Sequence, residues 1–509
     1  ISIEQLFSVG RKNAMDPNEK FSMAVAAMNL SAFRNAVSEL HRLVSQDMWN
    51  GLWPNLPTAE VPITNVTNGV HLPTMLNGDL AGLYDQYLQP DWRERYYEKK
   101  IWEQVHEIPD AEMWEAHRKR KKQLTIFVRQ HAVALAQRRK APSREIKQLE
   151  DIFDPDAFTI GFARRFATYK RATLLFRDPE RLKRLILNSD MPLQIVIAGK
   201  AHPKDTPGKT FIRDIVQFSR DPQMAKRVIF LENYGLRIAK EMVQGVDLWL
   251  NTPRRGEEAC GTSGMKAALN GVLNFSILDG WFDEAYETSG SWAIGERVPY
   301  SEDQDELHAS DIYSLLETEI LPLYYRRDED GVPVDWIERM KTCLIHTSPQ
   351  FNTQRMLDQY TSHLYRPAAQ AFAEFRADHF ALARQKDQWN QAIRQAWDRV
   401  HFREIGASAS GMITAGTAIT LRAVVDLAGL SSSDVRVEAV MGRLSSDGRI
   451  ESAEVVELLP QGGANPVQLF ASEVTPRQSG RLGYSIRVTP NHSHDPLRRP
   501  CNSPVKWVG

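Results

Sequence analysis

Between residues 157 and 279, short apolar runs alternate with stretches whose apolar residues recur every three or four positions. The runs are 157–163, 193–198, 227–231, 247–250 and 273–278. Short apolar runs of this kind are strands buried on both faces, and the helical periodicity between them supplies the cover, so the pattern predicts an α/β unit with a parallel sheet wrapped by helices. Ligands of such sheets bind beyond the carboxyl ends of the strands. Residues with chemistry fall there: Arg164 and Arg165 after the first run, Gly199 and Lys200 after the second, and Tyr234 after the third. Glu257 to Lys266 follow the fourth run, and Asp279-Gly280-Trp281 the fifth.

Elsewhere the patterns are helical or alternating. Residues 1 to 65 read as helices and a loop, with three-and-four spacing at 21–28 and 36–44. Residues 110 to 139 form a long amphipathic helix or pair, with Leu124, Phe127, Val128, His131 and Leu135 on one stripe. The run Arg118-Lys119-Arg120-Lys121-Lys122 reads as its solvated face. Residues 301 to 401 read as helical. After the small-residue linker 407–411, alternating strands at 417–425, 435–440 and 483–488 predict a β-sandwich of about 90 residues.

At 509 residues the chain has room for two or three domains, and its 42% hydrophobic and 25% charged content is that of a soluble globular protein. A net charge of -1 gives no field to attract nucleic acid or an anionic membrane, so any anion site must be local. No membrane span is expected, because no apolar run reaches about 18 residues. Cys260, Cys343 and Cys501 are too few and scattered for a disulfide framework, which fits a reducing cytoplasm, and the 13 histidines show no metal spacing. The chain opens Ile1-Ser2-Ile3-Glu4 with neither Met nor a signal pattern.

The local chemistry concentrates in Glu257-Glu258-Ala259-Cys260-Gly261-Thr262-Ser263-Gly264-Met265-Lys266-Ala267-Ala268-Leu269-Asn270-Gly271. Acids, small residues and glycines followed by one lysine and an apolar helical run describe a turn opening a helix whose free N–H groups face a cleft, which suits an anion. Thr262 can cap that helix or donate to a phosphate, and Lys266 can carry charge or form an imine with an aldehyde cofactor. The plain alternative is a glycine-rich turn with Lys266 pointing to water. Arg164, Arg165, Lys170 and Arg171 put four cations within eight residues at the end of a buried strand, a site for two phosphates. Asn68 either accepts positive φ in a turn with Gly69 or serves as a ligand. A catalytic thiol at Cys260 is disfavoured because no histidine lies in the motif.

The Glu258 to Gly271 stretch resembles the pyridoxal-phosphate lysine motif of the α-glucan (glycogen and maltodextrin) phosphorylases, with Cys260 where serine is usual. Three further segments resemble that family in the same order: Val66-Thr67-Asn68-Gly69-Val70, Arg164 to Arg171, and Val228 to Tyr234. The resemblance runs from near residue 1 to about 400, is closest to the short bacterial and archaeal branch, and weakens beyond. It implies the C-terminal Rossmann-like half of a two-lobed GT-B glycosyltransferase fold followed by the β-sandwich. The expected division is residues 1–66 as the end of the N-terminal lobe, 67–405 as the C-terminal catalytic lobe, and 410–509 as the sandwich.

The activity so implied is phosphorolysis of α-1,4-glucan to glucose 1-phosphate, with pyridoxal 5'-phosphate as cofactor. α-Glucan and inorganic phosphate are the expected partners, and homo-oligomerisation is left open. By resemblance Lys266 anchors the cofactor, and Arg164, Lys170, Tyr234 and Thr262 surround it. Arg165 and Lys170 hold the substrate phosphate, Asn68 and Glu258 meet sugar hydroxyls, and Ala259, Cys260 and Gly261 do so through backbone N–H groups. Arg164 departs from the lysine common in the animal enzymes. The alternatives are a nucleotide-sugar glycosyltransferase of the glycogen synthase type, against which Lys266 argues, and an inactive carbohydrate-binding fragment. Most of the first lobe would precede Ile1, so the chain is expected to fold yet be nearly inactive as a phosphorylase by itself.

Overall fold

The computed structural model describes residues 2–409, 411–414, 416–448, 450–492 and 503–508; Ser410 of the predicted linker and Cys501 lie outside the described residues. The chain divides into two compact units, one of residues 35–44 and 64–361, the other of 1–34, 45–63 and 362–509.

The first unit carries a sheet of β1 Phe158–Arg165, β2 Leu193–Lys200, β3 Val228–Leu231, β4 Leu248–Asn251, β5 Leu273–Ile277 and β6 Trp292–Ile294. Its order is β3-β2-β1-β4-β5-β6, and every neighbouring pair is parallel. The first five strands are the five apolar runs, buried on both faces as the helices Pro179–Ile186, Thr206–Ser219 and Leu236–Gly245 alternate with them. β6 spans three residues, too short for its pattern to stand out. This order reverses direction between β1 and β4, and the crevice beyond their carboxyl ends is the switch point where doubly wound sheets bind ligands.

The cationic stretch 118–122 is not wholly solvated. The helix Asp110–Arg138 is continuous over 29 residues, and Lys121 on it is 2% exposed. His117, Lys121, Leu124 and Val128 follow the four-then-three spacing of one face, so the buried stripe extends back through Lys121. Asp247, just before β4, is its partner: it accepts from Lys121 Nζ at 2.5 Å, His117 Nε2 at 2.7 Å and the Thr159 backbone N–H at 2.7 Å. Burial alone would raise this carboxyl, but Lys121 and His117 outweigh it and hold it below its ordinary value.

Among the described residues of the second unit seven strands form an antiparallel sheet: β7 His401–Ala407, β8 Ile419–Asp426, β9 Val435–Leu444, β10 Ile450–Ala464, β11 Val467–Val474, β12 Leu482–Pro490 and β13 Lys506–Trp507. The order is β13-β12-β9-β10-β11-β8-β7. The long β10 pairs with β9 through its first part and with β11 through its last, and one core gathers Leu421, Val425, Val437, Phe470 and Ile486. Ile419, Leu421 and Ala423 are buried while Thr420 and Arg422 between them are exposed, the predicted alternation. Arg487 is fully buried; it donates to Glu438 at 2.7 Å and, through two nitrogens, to Glu60 at 2.9 and 2.6 Å, so residues 45–63 are tied to this sheet. No helix among the described residues is long and apolar enough to cross a membrane.

Candidate active site

Side chains alternate along a strand, so the two arginines ending β1 part company: Arg164 is buried and Arg165 exposed. Arg164 donates to Asn251 Oδ1 at the end of β4 and to Glu258 Oε2. Lys170, in the turn Thr168–Lys170, donates to the same Glu258 Oε2 at 2.7 Å, and its Nζ lies 4.7 Å from the centroid of the Tyr169 ring. Burial, then the neighbouring Arg164 charge, pull the Lys170 ammonium down to about 8. Arg165 adds to that depression and has no hydrogen bond or ion pair of its own among the described residues.

Arg171 does not join them. It sits at φ +43° and donates to the carbonyls of Thr252 and Pro253 at 3.1 and 2.8 Å and to Asp305 at 2.8 Å, so its charge braces a neighbouring loop. The four-cation run therefore resolves into two buried cations on one carboxylate, one exposed cation in their field, and one strut.

The turn carrying Glu258 is held by residues after β5. The Glu258 backbone N–H donates to Asp279 Oδ2 at 3.0 Å, the Gly280 N–H to Asp279 Oδ1 at 2.8 Å, and the Trp281 N–H to the Cys260 carbonyl at 3.0 Å. Gly280 has φ +55°, and a Cβ there would stand 2.4 Å from the Cys260 oxygen, so only glycine fits. Burial pushes the Asp279 carboxyl up to about 6. Sequence position flagged Asp279; its role as an anchor of the 257–261 turn needed the fold.

Gly261 takes the left-handed conformation and precedes the seven-residue helix Thr262–Ala268, so Thr262 is the first helical residue and not the cap. The backbone N–H groups of Ala259, Cys260, Gly261, Thr262 and Ser263 have no protein partner among the described residues. Consecutive unpaired donors at a glycine turn make an anion-binding concavity. One turn on, Lys266 is half-buried, its amine is held down by burial, and its side chain has no hydrogen bond or ion pair among the described residues. Its carbonyl is taken by Asn270 at 2.9 Å, and Asn270 also donates to Met75 at 3.0 Å, which fixes the helix. Half-buried Tyr234 lies in the field of Arg164, with burial raising its hydroxyl.

Asn68 comes to the same turn from another part of the unit. Its backbone N–H donates to Val37 at 3.0 Å, and both its N–H and its side chain face the Cys260 thiol. It has no positive φ. Gly69 is needed for a close approach instead: a Cβ there would lie 2.0 Å from the Asn352 carbonyl. Beside them Glu284, which sequence reasoning did not single out, accepts from Thr67 Oγ1 at 3.0 Å and from the Glu39 N–H at 2.9 Å. Cys260 is 5% exposed, and burial pushes its thiol up to about 12. Cys260 is accordingly expected to resist iodoacetamide at neutral pH in the folded chain and to react after denaturation. Peptide mapping of Cys260 reads this out, and rapid native labelling would contradict the buried placement.

A doubly wound parallel sheet whose switch point gathers two buried cations on one carboxylate, beside N–H groups and a lysine amine without a partner among the described residues, defines an α/β protein with a candidate ligand site. Residues 9–294 match the family model for carbohydrate phosphorylase, and residues 397–500 match that for the glycogen phosphorylase C-terminal domain. The chain belongs to the carbohydrate phosphorylase family. Similarity continues past residue 400, where the sequence reading saw it weaken. The chain is 37% identical over 490 residues to the glycogen phosphorylase of Mycobacterium tuberculosis (strain H37Rv), covering 94% of this chain and 56% of that protein. It is 36% identical over 515 residues to the maltodextrin phosphorylase of Thermococcus litoralis (99% and 59%), and 44% identical over 367 residues to the glycogen phosphorylase of Aquifex aeolicus (72% and 52%). The chain thus spans between half and three fifths of the length of these curated relatives.

Proposed function

We propose that this chain supplies the C-terminal, Rossmann-like lobe of a cytoplasmic two-lobed GT-B enzyme that cleaves α-1,4-glucan with inorganic phosphate to give glucose 1-phosphate. In this reading residues 1–66 close the first lobe, 67–405 form the catalytic lobe, and 410–509 form the C-terminal β-sandwich domain. The observation that carries it is the convergence of Arg164 and Lys170 on one carboxylate oxygen: the pocket is built to hold an anion and holds one from its own chain.

The residues fit pyridoxal phosphate. Lys266 offers a half-buried amine without a partner among the described residues, and burial favours its uncharged, nucleophilic form. Arg164, Lys170, Thr262 and Tyr234 would hold the cofactor around its phosphate. Bound there, pyridoxal phosphate would supply a phosphate group able to pass a proton to and from the substrate phosphate. The chain's own residues would do the rest. Arg165 and Lys170 would hold the substrate phosphate and stabilise charge as the glycosidic bond breaks. Asn68, Glu258 and the N–H groups of Ala259, Cys260 and Gly261 would orient the terminal sugar.

The test is direct. The chain incubated with pyridoxal phosphate, reduced with borohydride and digested should carry the label on Lys266, and Lys266→Ala should abolish it. Label on another lysine, or no label at all, would overturn the assignment.

A further inference from the structure

The Glu258 carboxylate lies where the proposed function needs phosphate. Its Oε2 accepts from both Arg164 and Lys170, and all three side chains are between 7% and 12% exposed. Its backbone is fixed independently, because the Glu258 N–H is bound to Asp279 at 3.0 Å. The contact is therefore built into the turn and does not depend on a mobile loop. Facing it are Arg164, Lys170, Arg165, Tyr169 and Asp279, two of them buried cations that would repel each other without an anion between them.

We infer that Glu258 is a specificity-determining residue of the anion pocket: it is the resident anion, and it restricts the pocket to phosphate-like dianions. The inference rests on reading Arg164 and Lys170 as phosphate ligands and goes beyond it. A monoanion entering the pocket would exchange one carboxylate-like contact for another and would compete against a tethered group, whose effective concentration is of order millimolar or higher. It gains nothing by doing so. A dianion brings a second charge and more acceptor oxygens to Arg164, Lys170 and Arg165, so it can displace the carboxylate at a net gain. The displaced carboxylate becomes free to accept a hydrogen bond from a sugar hydroxyl, which couples sugar contact to occupation of the pocket by a phosphate group, whether the cofactor's or the substrate's.

The experiment uses the 509-residue chain at pH 7 and constant ionic strength, with calorimetric binding of inorganic phosphate, sulfate and acetate to wild type and to Glu258→Gln. Wild type should bind phosphate and sulfate and ignore acetate. Glu258→Gln should bind phosphate about tenfold tighter and acquire acetate binding that competes with phosphate, as expected when a tethered competitor is removed. Circular dichroism checks that the variant folds. If it does not, wild type alone decides, since acetate that competes with phosphate there overturns the proposal. Unchanged or weaker phosphate binding in a folded Glu258→Gln also overturns it, while leaving the phosphate site standing. Absence of phosphate binding in both proteins would overturn the phosphate reading itself and this inference with it.

Discussion

Lys170→Ala and Arg165→Ala are each expected to remove most phosphorolytic turnover, in a version of the protein carrying both lobes, while glucan binding stays nearly intact. In the proposed function each deletes charge from the place where phosphate would be held and its charge would shift in the transition state, a loss of about 3 to 4 kcal/mol, or roughly 150-fold to 900-fold in rate. Lys170 should cost more in ground-state phosphate affinity, because it is buried against the pocket anion whereas Arg165 is exposed. The burial that lowers Lys170 to about 8 also sets the sign of a pH effect. Below that value the ammonium is charged and affinity for the phosphate dianion is expected to be full; dianion affinity should fall as pH rises through it. Lys170→Arg stays charged and should lack the alkaline fall, even if its geometry binds phosphate less well. Wild-type turnover in Lys170→Ala would remove this residue from the site.

Asp247→Ala is expected to destabilise the parallel-sheet unit by about 3 to 5 kcal/mol, the range for removing one partner of a buried ion pair. It would leave the Lys121 charge, 2% exposed, with the neutral Tyr324 hydroxyl at 2.8 Å and no counter-charge from Asp247, and the His117 and Thr159 N–H donors without their acceptor. Denaturant unfolding followed by tryptophan fluorescence should show a lower midpoint. The double variant Asp247→Leu with Lys121→Met should recover much of the loss, because an apolar pair of similar volume removes the charge along with its partner. A midpoint unchanged in Asp247→Ala would mean that Lys121 reaches water.

The first five strands of the parallel sheet and the positions of Arg164, Lys170, Glu258 and Lys266 at their carboxyl ends were legible because burial on both faces leaves a plain apolar run, and a parallel sheet puts its chemistry at one edge. Local pattern misled where a residue's partner is distant in sequence. Lys121 looked solvated within a cationic run, but its partner Asp247 is 126 residues away. Arg171 looked like a phosphate ligand, yet loop carbonyls and Asp305 claim it. Gly69 looked like a turn residue, and its constraint comes from Asn352. Periodicity and composition by themselves determined the α/β class, the antiparallel C-terminal sheet and which segments could bear charge at a ligand crevice. Only the tertiary structure decided which charges meet, because pairing depends on through-space distance and shared burial. It joined Arg164 and Lys170 on Glu258, anchored Glu258 through Asp279, and left the Lys266 amine without a partner among the described residues.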